Sequence, residues 1–124
     1  MGVVIKTDAE IELMRQGGRT VALILERLGR AVRPGMVTAE LDDITVQEAQ
    51  RHGVKPSFKG YHGYPASVCV SINDEVVHGI PGDRKLEKGD IVSLDFGAVF
   101  EGMQTDAAVT VGVGQIIPEA QRLM

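Results

Sequence analysis

The spacing of apolar residues changes once along this chain, near residue 54, from the period of a helix to that of a strand. Before this point, apolar or small residues recur at alternating steps of three and four, as on one helix face: Ile11, Met14, Gly18, Val21, Leu25, Leu28 and Val32. After it, apolar and polar residues alternate one by one, as in half-buried strands. The change predicts an α+β fold, with two helices packed on an antiparallel sheet.

Local signals place the ends of the two helices. Thr7 and Glu10 have capping-box spacing, which predicts that the first helix begins there, and Pro34-Gly35 ends it. Gly17-Gly18 inside this helix costs about 1 kcal/mol per glycine relative to alanine, so we expect another element to pack closely there. The second helix is predicted to begin at Thr38 and to stop at Gly53.

Three alternating runs predict strands, at 68–72, 92–96 and 107–111. Glu101-Gly102 lies between the last two and has the composition of a two-residue hairpin turn. Such a turn places Leu94 opposite Val109, which keeps apolar residues facing apolar residues on the side of the core. A slip of one residue would break this pairing, so the register is well determined.

The same register brings two acidic residues together on the face opposite the core. Asp95 and Asp106 become diagonal neighbours, whose backbones lie about 7 to 8 Å apart. Two carboxylates this close repel each other, and a shared divalent cation relieves the repulsion. The pattern alone leaves alternatives open: two solvated aspartates on an open sheet face, which are common, or an acid pair of the glycosidase kind.

Composition bounds the class of protein. The 124 residues suffice for a single domain, 1–124, and 44% of them are apolar, enough for one core. The net charge of −4 does not provide the basic face that nucleic-acid binding needs, so no nucleic-acid partner is expected. With one cysteine, no secretory signal and no apolar run near 20 residues, we expect a soluble cytoplasmic protein and no membrane partner.

The sequence pattern alone leaves open the roles of the other reactive side chains. His78 is either a functional residue or a hydrogen-bonded loop residue, and Cys69, in mid-strand, favours packing over catalysis. His52 and His62 have no metal-type spacing to each other. The glycine-punctuated segment 59–65, with its tyrosines and the preceding Phe58, is either a plain connection or a pocket wall.

Three segments resemble the type I methionine aminopeptidases: GYHGYPASVCVSIN at 60–73, VHGIP at 77–81 and GDIVSLD at 89–95. The resemblance extends over essentially the whole chain. It implies half of a pita-bread fold, in which two similar α/β halves enclose a dinuclear metal site. Enzymes of this family remove the initiator methionine of nascent polypeptides when the next residue is small.

The resemblance also implies roles for particular residues. Asp95 and Asp106 match the family's two aspartate metal ligands, and His78 matches a catalytic histidine that contacts substrate. The residues that match the pocket for the methionine side chain are Phe58, Tyr61, Tyr64 and Cys69. The complete enzyme is expected to hold two divalent metal ions, and cobalt, iron, manganese and zinc are not distinguished.

The family's remaining ligands, one histidine and two glutamates, lie in its second half. A helix opening at Pro118 is followed by few residues, so we expect an N-terminal half that is truncated at the start of the second half and inactive alone. The expected partners are the N-terminal methionine of peptides and nascent proteins, and either the missing C-terminal half or a second copy of the chain. The alternative is a non-catalytic, self-associating or binding half-domain.

Overall fold

The computed structural model describes residues 2–124. It is an α+β arrangement in which the two long helices pack on one face of a four-stranded antiparallel sheet. The elements, in chain order, are α1 Asp8–Ala31, α2 Thr38–His52, β1 Lys55–Pro56, β2 Cys69–Ile72, β3 Ile91–Phe100, β4 Met103–Gly112 and α3 Pro118–Leu123. Within residues 2–124, no helix combines the length and the apolar character needed to cross a bilayer.

The predicted start of α1 and the predicted end of α2 are confirmed, while α1 ends at Ala31, so that Val32 lies just outside the helix. The Thr7 hydroxyl accepts a hydrogen bond from the Glu10 amide, and the Glu10 carboxylate accepts one from the Thr7 amide. This reciprocal cap satisfies two amides that would otherwise lack partners at the start of α1. At the C-terminal end of α2, Gly53 adopts the left-handed conformation that closes a helix, with φ of 69°.

Close packing against α1 occurs at one of the two adjacent glycines. A Cβ on Gly17 would lie 3.3 Å from the Cβ of Phe100 and 3.4 Å from the hydroxyl of Thr105. A Cβ on Gly18 would have no neighbour within 4 Å. The expected close approach is therefore confirmed for Gly17 and wrong for Gly18, because the helix turns Gly18 away from the hairpin.

The long strand β3 is the centre of the sheet, since β1, β2 and β4 all pair with it. Its register with β4 is the predicted one: Leu94 lies opposite Val109, and Gly97 lies opposite Asp106. The turn at Glu101 and Gly102 has positive φ at both residues, as the preferred two-residue hairpin turn requires. The core fills the space between this sheet and the helices, with Ile24, Leu28, Leu41, Leu94 and Phe96 all fully buried.

Strand β2 is not half-buried, as its alternating pattern predicted. All four of its residues are buried. One face packs on the core, and the segment that contains Gly79 runs along its outer edge, where the Val70 amide donates to the Gly79 carbonyl at 2.9 Å. Alternation reflects the chemistry of the two faces, and it cannot show that a loop covers the polar one.

Strand β4 differs from prediction in the opposite sense. Ala107 and Val109 were expected in the core, yet Ala107 is exposed and Val109 keeps 38% of its surface accessible. Within residues 2–124, β4 pairs with β3 alone, so it is an edge strand. The single helix α1 covers its apolar side only in part.

Candidate functional site

A pocket of about 530 Å³ opens beside the sheet, on the face opposite the helices. Its lining contains every residue that the sequence singled out as a candidate: Phe58, Tyr61, Tyr64, Cys69, His78, Asp95 and Asp106. They come from three places, namely the 58–65 segment, the 78–80 loop and the paired strands β2, β3 and β4. The fold therefore gathers into one cavity residues that are spread over about fifty positions of the chain.

The two aspartates are placed by the register of the hairpin. Asp95 lies opposite Ala108 and Asp106 opposite Gly97, so both carboxylates project from the same face on neighbouring strands. The Oδ1 atom of Asp95 is buried and has no hydrogen-bond partner within the part of the chain that the structure describes. A buried carboxylate oxygen without a donor is costly unless something else, such as a cation, supplies positive charge.

The pKa of Asp95 also shows that its charged form is disfavoured in the folded chain. Burial and the neighbouring Asp106 carboxylate together raise the pKa of Asp95 to about 6, while His78 acts in the opposite direction. At neutral pH the site therefore holds a carboxylate that its own surroundings disfavour. This is an environment that a bound divalent ion would stabilise.

The donor chemistry of the site fits a hard divalent metal but is incomplete. Carboxylate oxygens suit magnesium, manganese, iron, cobalt and zinc alike. Within residues 2–124, no group of three or more His, Cys, Asp or Glu side chains is arranged to hold a metal ion. Asp95 and Asp106 are thus a partial ligand set among the described residues.

Aromatic rings and a thiol form the wall beside the carboxylates. Phe58 and Tyr64 meet edge to face, with ring centroids 6.3 Å apart. Cys69 lies opposite Asp95 in the pairing of β2 with β3, and burial raises the pKa of its thiol. A buried, protonated thiol and two aromatic rings make this side of the pocket apolar.

His78 occupies an exposed position in the loop at the edge of the pocket. Its backbone is left-handed, with φ of 61°, a region that few non-glycine residues adopt. The next residue, Gly79, is buried against β2. The histidine ring therefore projects from a backbone that is fixed immediately behind it.

The structure also places His62 in the lining of the pocket, which the sequence pattern does not predict. Its ring packs edge to face on Tyr61 at 4.2 Å between centroids, and its φ is 49°. Spacing between histidines carries no information about such a residue. The available signal was its position within the same glycine-punctuated aromatic segment as Tyr61 and Tyr64.

Comparisons with known proteins agree with this geometry. The sequence description of Metallopeptidase family M24 matches residues 12–124. The chain belongs to metallopeptidase family M24. Membership of this family implies a divalent metal cofactor.

Individual M24 relatives carry more specific names. The chain is 47% identical over 122 residues to the methionine aminopeptidase of Clostridium perfringens, and 46% identical over 122 residues to methionine aminopeptidase 1 of Bacillus subtilis. Each match covers 98% of this chain and 49% of the relative. The chain thus spans about half the length of the curated relatives it matches.

Solved M24 structures confirm the expected fold class, half of a pita-bread fold. The crystal structure of methionine aminopeptidase from Thermotoga maritima superposes with a TM-score of 0.94 at 41% identity, over 98% of this chain and 49% of that one. The prolidase from Pyrococcus furiosus superposes with a TM-score of 0.83 at 20% identity, which shows a shared fold only. The half fold described here is common to the wider group.

Proposed function

We propose that residues 1–124 form the N-terminal half of a metal-dependent methionine aminopeptidase, which removes the initiator methionine from peptides and nascent polypeptides in the cytoplasm. The observation that carries the proposal is the pocket, where two aspartates, a histidine and an apolar wall line one cavity. The relatives named methionine aminopeptidase supply the substrate class.

Asp95 and Asp106 would hold the metal through their carboxylates. The Oδ1 atom of Asp95 supports this role, because it is buried and has no hydrogen-bond donor among residues 2–124. Two divalent ions held there would supply Lewis-acid chemistry, lowering the pKa of water and polarising the scissile carbonyl. Iron, cobalt, manganese and zinc all suit carboxylate and imidazole ligands, so the ligand types leave the choice among them open.

The remaining pocket residues would bind and orient the substrate. The apolar wall of Phe58, Tyr61, Tyr64 and Cys69 would bury the methionine side chain, whose sulfur makes favourable contacts with aromatic rings. His78, at the edge of the same pocket, would donate a hydrogen bond to the scissile carbonyl oxygen as negative charge develops there.

A chimera tests the proposal, because two aspartates alone give an incomplete donor set. We would join this chain to the second half of the Clostridium perfringens relative and assay methionine release from a Met-Ala-Ser peptide. We expect release by the chimera and none by its Asp106→Ala variant. A chimera that folds and binds manganese, yet releases no methionine, contradicts the proposal.

A second candidate function is a self-associating half-domain without catalysis. A groove of about 430 Å³ between α1 and β4 favours it, lined by Ala22, Leu25, Glu26, Gly29, Arg30, Ala107, Val109 and Val111. Either a second copy of the chain or a C-terminal half would cover this surface. Light scattering separates the two candidates, since a strictly monomeric chain rules out self-association.

A further inference from the structure

The backbone behind His78 is attached to β2 at Gly79. The Gly79 carbonyl accepts from the Val70 amide at 2.9 Å, and the Gly79 amide donates to the Ser71 hydroxyl at 3.1 Å. Residue 79 therefore lies along β2 much as a paired strand residue would. The position of the His78 backbone therefore depends on these two hydrogen bonds at Gly79.

The contact at Gly79 leaves no room for a side chain. A Cβ there would lie 2.1 Å from the Val70 carbonyl oxygen and 2.9 Å from the Ser71 Cα. The loop backbone thus touches the strand backbone directly. Movement of the loop away from β2 would separate this contact and release the left-handed residue that precedes it.

Tyr64 supplies a third hydrogen bond at the same point. Its hydroxyl lies 3.1 Å from the Gly79 carbonyl oxygen and 3.0 Å from the Val68 carbonyl oxygen. Burial, together with the neighbouring Cys69 thiol, raises the pKa of Tyr64 above its usual value, so the hydroxyl keeps its proton and donates. One proton is shared between a carbonyl just before β2 and a carbonyl of the His78 loop.

We propose that Tyr64 is a positioning residue for His78: its hydroxyl joins the loop to the start of β2, while its ring forms the pocket wall. The inference rests on the proposed function, in which His78 meets the substrate. A pocket wall alone requires the ring, which phenylalanine would supply equally well. The two hydrogen bonds of the hydroxyl are unnecessary for that purpose, and one of them ends on Gly79, the residue next to His78.

The test compares Tyr64→Phe with Tyr61→Phe in the isotope-labelled 124-residue chain. Both changes remove one hydroxyl from a pocket tyrosine, but Tyr61 is 68% exposed. In Tyr64→Phe we expect the His78 ring cross-peak to shift in the NMR spectrum and the Val70 amide to exchange about tenfold faster. The His52 cross-peak, on α2, and the β3 amides should match the unmodified chain, and Tyr61→Phe should leave both His78 and Val70 unchanged.

A purely structural role for the hydroxyl would give a different result. Exchange would then accelerate across β2 and β3 together, and the His78 cross-peak would move no more than that of His52. That result, or an unmoved His78 in folded Tyr64→Phe, overturns the proposal. If Tyr64→Phe does not fold, Ser71→Ala tests the same attachment of the loop, because it removes the acceptor of the Gly79 amide, and an unmoved His78 in that variant overturns the proposal as well.

A separate experiment tests the proposed function. In the chimera described above, Tyr64→Phe should lower kcat more than it raises KM, since the apolar wall remains and the histidine is displaced. Neither NMR readout requires catalysis. A chimera without activity, combined with a displaced His78, removes the proposed function and leaves the positioning role of Tyr64 in place.

Discussion

Asp95 and Asp106 lie on neighbouring strands, two positions apart in register, and one oxygen of the Asp95 carboxylate is buried without a partner among the described residues. In the metal-free chain this arrangement is unfavourable at neutral pH, because burial and the second carboxylate both oppose ionisation of Asp95. Features that destabilise a fold at one place often mark the place where it binds or reacts.

We predict that Asp95→Asn stabilises the metal-free chain at neutral pH. The pKa of Asp95 is raised from 3.8 to about 6, so between these values the folded chain keeps a proton that the unfolded chain has lost. Stability from this residue is therefore present below about pH 4 and is lost as the pH rises through about 6. Asparagine has no charge and removes that loss. Urea unfolding across the same pH range measures it.

The matched control for this change is Asp74→Asn, which neutralises an exposed aspartate away from the site. It should leave the pH dependence of the free energy of unfolding close to that of the unmodified chain. An Asp95→Asn chain that loses as much stability between about pH 4 and pH 7 as the unmodified chain contradicts the assigned cause.

Manganese should stabilise the unmodified chain modestly and the Asp106→Asn variant hardly at all. An ion that binds only the folded chain adds about 1.4 kcal/mol at roughly ten times its dissociation constant. The dissociation constant itself should be high, since two carboxylates give an incomplete donor set. Thermal unfolding at increasing manganese concentration measures the effect. An equal rise in melting temperature in both proteins would place the ion elsewhere.

Features that depend on nearby residues could be predicted from the sequence. The cap at Thr7 and Glu10 and the hairpin at Glu101 require only a few adjacent positions, and both are confirmed. The hairpin in turn fixes the register, and the register alone places Asp95 beside Asp106. This is why the centre of the site followed from local rules.

Features that depend on distant segments could not be predicted in this way. The burial of β2 requires knowing that residue 79 packs against Val70, and the exposure of β4 requires knowing what lies beyond the edge of the sheet. His62 enters the pocket through the conformation of its loop. An alternating pattern identifies a strand and its two faces, but it does not identify what covers each face.

Gly79→Ala should be among the most destabilising small substitutions in this chain. The added methyl group would overlap the Val70 carbonyl oxygen, so the loop must leave β2 and give up the hydrogen bonds at residue 79. We expect a loss of at least about 2 kcal/mol, in the range of core overpacking. The matched control is Gly82→Ala, where a Cβ would meet nothing within 4 Å. Similar melting temperatures for the two variants would show that the loop can move away from β2 at little cost in stability.

His78→Ala should reduce methionine release by the chimera much more than it reduces metal affinity. The histidine lines the pocket with the aspartates and is proposed to contact the substrate carbonyl, so its loss should resemble removal of one oxyanion donor, about 2.7 to 4 kcal/mol or 10² to 10³ in kcat. Manganese affinity, measured by calorimetry, should stay near that of the unmodified chimera. His52→Ala, which alters a histidine on α2, should change neither quantity. If metal affinity falls in step with turnover, His78 is a metal ligand, and its assignment to the substrate is wrong.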